Sequence, residues 1–269
     1  MDSSASDSRN GAAPQNGGPD AVIRVEDLTL GFDDVPLLEG LNFEVGRGEV
    51  FVILGGSGCG KSTLLKHMIG LHAPMSGRIL IDGQDITTVH GEARRSLLRK
   101  IGVAFQSGAL FGSMSLLENI CLPLEANTAL ALDARALVAR MKLRLVGLSG
   151  FEHHLPAELS GGMQKRAAIA RAMALDPMVL FLDEPSAGLD PVTAADLDQL
   201  ILRLSDTLGM TFVVVSHELA SVYAIADRVI MLDRESRGII GQGAPDWLRQ
   251  HAEHPAVRRF FNREPSEAA

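Results

Sequence analysis

Val50-Phe-Val-Ile-Leu-Gly55-Gly-Ser-Gly-Cys-Gly-Lys-Ser-Thr63-Leu-Leu-Lys-His-Met-Ile69 is the stretch that decides the fold. The run Val50–Leu54 is apolar without a break and rich in β-branched residues, the pattern of a strand covered on both faces. Gly55 to Thr63 then matches G-x-x-x-x-G-K-[ST], and Leu64-Leu-Lys-His-Met-Ile reads as the helix that must follow. Glycines allow successive backbone N–H groups to turn inward around phosphate oxygens, and the helix start adds the positive end of its dipole. The loop Gly55, Gly56, Ser57, Gly58, Cys59, Gly60, Lys61, Ser62 and Thr63 is therefore expected to bind a nucleotide. Lys61 would reach its β- and γ-phosphates, and the Ser62 hydroxyl would ligate Mg²⁺.

Outward from this loop, the chain is 269 residues long and 46% hydrophobic, enough for one large domain or a domain with a subdomain. A net charge of -8 argues against nucleic acid as a partner, since phosphate contacts need a basic surface. Cys59 and Cys121 cannot build a disulfide framework and suit a reducing compartment. No apolar run reaches the roughly eighteen residues that span a bilayer, and the N-terminus lacks the pattern of a secretory signal. A membrane role would come through a partner. Residues 1–20 are mostly Ser, Gly, Ala, Asn and Asp, and are expected to be a disordered tail.

Strands are predicted at 21–30, 41–45, 101–105, 178–182, 211–215 and 228–232, several alternating with helical patterns, which favours a parallel α/β sheet. Asp190-Pro191 supplies an N-cap and a first-position proline for a helix running to about Leu208 and stopping at Gly209. Between Gln106 and Ser160 strand signals vanish. Ser115-Leu-Leu-Glu118 reads as a capping box, and a helix is predicted from Asp133 to Val146, ended by Gly147. The tail after Gly241, with Trp247, Phe260 and Phe261, is expected to be partly helical.

Leu180-Phe-Leu-Asp183-Glu184 places two carboxylates at the C-terminal end of a buried strand, the edge at which open α/β sheets bind ligands. Asp183 is suited to hold Mg²⁺, and Glu184 to accept a proton from the attacking water. Alone, such a pair is common at solvated strand ends; its weight comes from the phosphate loop.

Leu159-Ser-Gly-Gly-Met-Gln164 resembles the LSGGQ signature of ABC ATPases, with Met163 standing before Gln164. The resemblance implies a P-loop NTPase (RecA-like) α/β core with an antiparallel β subdomain and a helical subdomain at about 107–165. The cassette would span 21–240, followed by an extension over 241–269. It also implies a homodimer sandwiching two ATP molecules, in which Ser160, Gly161, Gly162 and Gln164 face the partner's γ-phosphate. Gln106 looks like the glutamine that touches Mg²⁺ and links to a transmembrane partner. Ser186-Ala-Gly-Leu-Asp190 resembles the loop crossing the dimer interface, and His217 the histidine that hydrogen-bonds the γ-phosphate. Phe32 occupies the position of the adenine-stacking aromatic, where the family more often has tyrosine. Cys59 serves there as a small residue; as an accessible thiol beside a helix start it would be sensitive to alkylation. His153-His154 reads as a solvated loop, with no ligand pattern nearby.

One motif set per chain calls for two copies or a sister chain. The stretches after Gln106, after the signature and from Ser216 resemble the ATPases of Mla/Mce-type lipid transporters. That resemblance implies transport of phospholipid or related hydrophobic molecules, with transmembrane permease subunits, an Mce-type substrate-binding protein and a small accessory subunit as partners. Residues 107–124 would receive a short helix of the permease, and the chain would lie peripherally on the cytoplasmic face of the inner membrane. The alternatives are another ABC system, for lipoprotein release or amino acids, and a non-transport ABC ATPase.

Overall fold

Alternating apolar residues at the start of the ordered sequence build a long hairpin. In the computed structural model, which describes residues 20–264, β1 (Ala21–Phe32) pairs antiparallel with β2 (Val35–Gly46). Asp33 and Asp34 turn between them with φ of 50° and 62°, the left-handed pair that a primed two-residue turn needs. That turn pairs Phe32 with Val35, so β2 begins well before the Leu41 expected from alternation. The tail expected over 1–20 lies, but for Asp20, outside the described residues. β3 (Val50–Gly55) is buried along its whole length and runs through the phosphate loop into α1 (Lys61–Met68). β4 (Ser76–Ile81) and β5 (Gln84–Asp85) complete a four-stranded sheet in the order β2-β1-β4-β5.

The described chain forms two compact units. The first runs to Val89 and resumes at Val213; the second is His90–Phe212. The second opens with α2 (Gly91–Leu98) and β6 (Ile101–Ala104). Then come α3 (Leu116–Asn127), α4 (Leu132–Leu145) and α5 (Gly161–Ala172), the expected helical stretch. β7 (Val179–Asp183) and α6 (Pro191–Leu208) follow. β8 (Thr211–Val215) begins in the second unit and ends in the first. The first unit then adds α7 (Leu219–Ile225), β9 (Arg228–Asp233), β10 (Gly238–Gly243), α8 (Pro245–His251) and α9 (Pro255–Asn262). Strand order is β10-β9-β3-β8 in the first unit and β8-β7-β6 in the second, with β3 parallel to β9 and β6 parallel to β7. The uninterrupted apolar runs are thus the central strands of parallel sheet.

Helix ends fall where their caps put them. Ser115 and Glu118 close a reciprocal capping box at α3. Asp190 accepts hydrogen bonds from the amides of Val192 (3.1 Å) and Thr193 (3.0 Å), Pro191 opens α6, and Gly209 ends it at φ 64°. In the tail, α9 buries Val257 and Phe261. The Tyr223 hydroxyl donates to the Phe261 carbonyl at 3.2 Å, which seats the tail on α7 within the first unit.

Beneath β3, Arg228 makes a forked pair with Glu49, Nε to Oε1 at 2.7 Å and Nη2 to Oε2 at 2.9 Å, and stacks 5.2 Å over the Phe51 ring. Removing one partner strands the other charge in a nearly dry place. Arg228→Met should therefore cost about 3 kcal/mol, read as a lower urea midpoint. Adding Glu49→Gln, which keeps the acceptor for the Gly46 amide, should recover part of that loss.

Candidate functional site

The phosphate loop of the first unit is closed around its own lysine. Lys61 Nζ donates to the carbonyls of Gly55 (2.8 Å) and Gly56 (3.0 Å), and the side chain is buried. Gly58 and Gly60 have φ of 74° and 102°, and Gly60 is the N-cap of α1. A Cβ on Gly55 would lie 2.4 Å from Cys59 Sγ and 2.6 Å from the Leu232 carbonyl oxygen, so only glycine fits. Gly56, Ser57 and Gly58 are exposed. Their backbone is thus open to an anion at the start of a helix with no acidic residue in its first turn.

Two further expected residues lie in this unit. The Ser216 amide donates to the Ile53 carbonyl (3.2 Å), which brings the end of β8 beside the end of β3, and His217 follows it, exposed. Phe32 stands at the tip of the β1–β2 hairpin, 55% exposed, with the His72 ring edge-on at 6.2 Å. A phenylalanine this open is available for stacking rather than for a core. Behind it, His67 is buried 5.5 Å from His72, with its Nδ1 2.8 Å from the Thr63 carbonyl; burial pushes its pKa down.

The second unit holds the acidic pair, Gln106 and the signature. Ala104 of β6 is in register with Leu182 of β7, so Gln106 and Asp183-Glu184 emerge at one end of the same parallel pair. Asp183 is buried at the strand end, and Glu184 has φ 47°, uncommon for a residue with a Cβ. Ser160 caps α5 by accepting from the Met163 amide at 3.3 Å. Gln164 turns back to donate to the Leu159 carbonyl at 3.2 Å, so its amide is engaged within the motif. Gly162 has to be glycine, since a Cβ there would lie 2.3 Å from Thr193 Cγ2 of α6.

A family model described as ABC transporter matches residues 38–187. The chain belongs to the ABC transporter family. It is 39% identical to the intermembrane phospholipid transport system ATP-binding protein MlaF of Haemophilus influenzae, over 85% of this chain and 86% of that protein. Against the protein of the same name from Escherichia coli K12 it is also 39% identical, over 90% of this chain and 88% of that one. A probable ribonucleotide transport ATP-binding protein, mkl, of Mycobacterium leprae is 40% identical over 90% of this chain and 69% of its own length. A dimeric ATP-binding cassette in a post-hydrolysis state with ADP and Pi superposes with a TM-score of 0.74 at 31% identity, covering 82% of this chain and 98% of that one. A Clostridium perfringens cassette, part of the cbiONQ transporter complex, gives 0.78 at 31% identity over 91% and 100%. The chain is thus an ATP-binding cassette whose activity is ATP hydrolysis.

Three cassette residues escaped the reading of the sequence. Asn119 is fully buried: its Oδ1 accepts from the Phe111 amide (2.8 Å), and its Nδ2 donates to the carbonyls of Phe111, Met114 and Ser115. It pins the loop before α3. Lys165 and Arg171, on α5, donate to the carbonyls of Gln106 and Ala109. Burial lowers the Lys165 pKa, an effect opposed by the charges of Glu184 and Asp183. A lone Asn, Lys or Arg in a helix carries no spacing signal, so only the fold could reveal them.

Cys59 requires a correction. The thiol expected to be accessible is 2% exposed, and burial raises its pKa against the pull of Lys61. The protonated thiol is the unreactive form, so reactivity should rise with pH. At neutral pH, iodoacetamide should leave Cys59 unlabelled and hydrolysis intact over a time that labels a free thiol fully. Intact mass against Cys59→Ala separates it from Cys121; fast inactivation tracking Cys59 labelling would contradict the burial.

Proposed function

We propose that this cassette powers the movement of phospholipid, or a related hydrophobic molecule, through a membrane complex in which it works as a homodimer on the cytoplasmic face of the inner membrane. The observation that carries the reading is the near full-length likeness to two MlaF proteins, 39% identical over 86% and 88% of their lengths. The mkl relative supports a second reading, ribonucleotide transport, but a larger share of its length has no counterpart here. Among the described residues no helix is long and apolar enough to cross a membrane, so cargo passage is assigned to partner subunits: a permease, an Mce-type binding protein and a small accessory subunit. We assign 21–240 to the cassette, about 107–165 to its helical subdomain and 241–269 to an extension.

When bound, MgATP supplies the phosphoryl group and a cation that neutralises its charge. The exposed loop residues Gly56–Gly58 and the exposed Phe32 fit such a ligand. In this assignment Phe32 stacks on the adenine, the amides of Gly55–Thr63 take the phosphates, and Lys61 balances their β- and γ-charge. Ser62 of the first unit, and Gln106 and Asp183 of the second, are each assigned to Mg²⁺; Glu184 would accept the proton of the attacking water, and His217 would bond the γ-phosphate. Ser160, Gly161 and Gly162, with the Gln164 amide bracing the motif from behind, offer N–H groups to the nucleotide of the second copy.

A groove of about 290 Å³ in the second unit, lined by Phe111, Leu122, Pro123, Ala126, Arg171 and Leu175, supports docking of a short permease helix at 107–124. Leu122→Glu should abolish recovery of the permease with the tagged cassette while basal hydrolysis continues; unchanged recovery would remove the groove from the proposal. Glu184→Gln should bind ATP and lose on the order of 100-fold or more in turnover, as expected for a missing general base. Purified from membranes with ATP, that variant should bring down a multi-span permease, a single-span partner and phospholipid. A bound ribonucleotide would favour the second reading, and a soluble complex alone would end the transport proposal.

A further inference from the structure

Helix α5 is read for its N-terminus, yet its long cations point at the segment after β6. Lys165 Nζ donates to the Gln106 carbonyl at 2.5 Å and reaches the Glu184 carbonyl at 3.5 Å. Almost two turns further on, Arg171 Nη1 donates to the Ala109 carbonyl at 2.5 Å, and its guanidinium lies 5.6 Å from the Phe111 ring centre. Between these two ties Gly108, at φ 73°, comes so close that a Cβ on it would sit 3.6 Å from Ala168 Cβ. The whole loop from Gln106 to Phe111 therefore rides on one face of α5. Lys165 also lies against the one backbone position of the acidic pair in a left-handed conformation, Glu184 at φ 47°, where surrounding bonds must hold what local sterics oppose. The Ala187 amide donates to the same Glu184 carbonyl at 3.2 Å.

We infer that Lys165 is a positioning residue for hydrolysis: its single ammonium fixes the backbone of Gln106 and of Glu184 to the signature helix, so that the three hold one arrangement, with Arg171 anchoring the far end of the loop. An ammonium suits this place because its donors radiate from one atom and can serve two carbonyls on separate segments. Lys165 touches neither nucleotide nor metal in this role; it acts through the two residues whose backbone it holds. The inference rests on the functions proposed above for Gln106 and Glu184.

The test compares full-length wild type, Lys165→Met, Lys165→Arg and Glu184→Gln. Lys165→Met should lower kcat about tenfold, the scale of a lost charged hydrogen bond, with KM for ATP unchanged; Lys165→Arg should recover much of the loss. Without nucleotide, hydrogen–deuterium exchange in Lys165→Met should rise in peptides covering 106–111 and 185–187 and nowhere else. Wild-type kcat in Lys165→Met, or unchanged exchange in those peptides, overturns the positioning role. Wild-type turnover in Glu184→Gln instead overturns the assignment of Glu184 beneath it. Should the methionine variant not fold, Lys165→Gln, whose shorter amide cannot span both carbonyls, carries the same expectations.

Discussion

The first unit depends on a steric constraint at the end of β3. The strand is buried on both faces and must pass into a helix without any side chain intruding where the backbone turns. At Gly55 there is no room for a single carbon, with Cys59 Sγ and the Leu232 carbonyl already in contact range. Gly58 and Gly60 then take left-handed φ values, and Lys61 closes the ring from within through the carbonyls of Gly55 and Gly56. Three neighbouring features hold the strand that leads into this turn. β9 flanks β3 in register from Phe51 to Gly55, and the Arg228–Glu49 pair fastens the strand's entry. The Ser216 amide brings the strand end that carries His217 alongside. Cys59 belongs to this constraint as well: its sulfur fills the space that the missing Gly55 side chain leaves, which is why it is buried instead of reactive.

In the second unit the corresponding part is α5. It lies against β6 closely enough that a Cβ on Gly102 would meet the Ala172 carbonyl at 2.2 Å, and against α6 closely enough to exclude one on Gly162. A helix held on two sides by absent side chains has little freedom to shift without moving its neighbours, since packed interiors are dense. Its N-terminus carries the signature, its middle carries the tie to Gln106 and Glu184, and its C-terminal half carries Arg171 on the wall of the groove. The wall of that groove and the tie to the acidic strand end are thus carried by one helix.

How much of this was legible in the sequence follows from the kind of signal each part leaves. β3, β7, β8 and β9 announced themselves as unbroken apolar runs because a parallel strand is covered on both faces, and α6 was readable from Asp190-Pro191 to Gly209 because caps are local chemistry. β4 was not anticipated. Its first three residues are exposed and only Ile79 and Ile81 are apolar and buried, too short an alternation to stand out. β2 was cut short because its first half is half-exposed and Gly40 interrupts the pattern. Within the candidate site, the phosphate loop and the acidic pair could be proposed from spacing and strand context, and the signature, Gln106, His217 and Phe32 only from the resemblance. Lys165 and Arg171 could not be proposed, since each acts on the backbone of a segment about sixty residues away and that proximity exists only after folding; Asn119 bonds a loop four to eight residues before it, but an Asn there has no spacing of its own to mark it. The reading of Cys59 as accessible failed because its sulfur packs where the Gly55 backbone passes the Leu232 carbonyl, a contact that exists only in the folded chain.

The chemistry of this chain and the identity of its cargo are carried by different parts of it. The parts assigned to hydrolysis, namely the phosphate loop, the acidic strand end, the signature and the exposed Phe32, do not distinguish a lipid from any other load. What can distinguish them is the surface a partner reads, and there the second unit is particular. Phe111 and Pro123 line an apolar groove beside the Arg171 cation, and Asn119 locks the loop that presents Phe111 with four hydrogen bonds from a fully buried side chain. Burying an amide so completely is costly unless every bond is made. The groove's rim is accordingly held in one shape by bonds that the buried amide must keep.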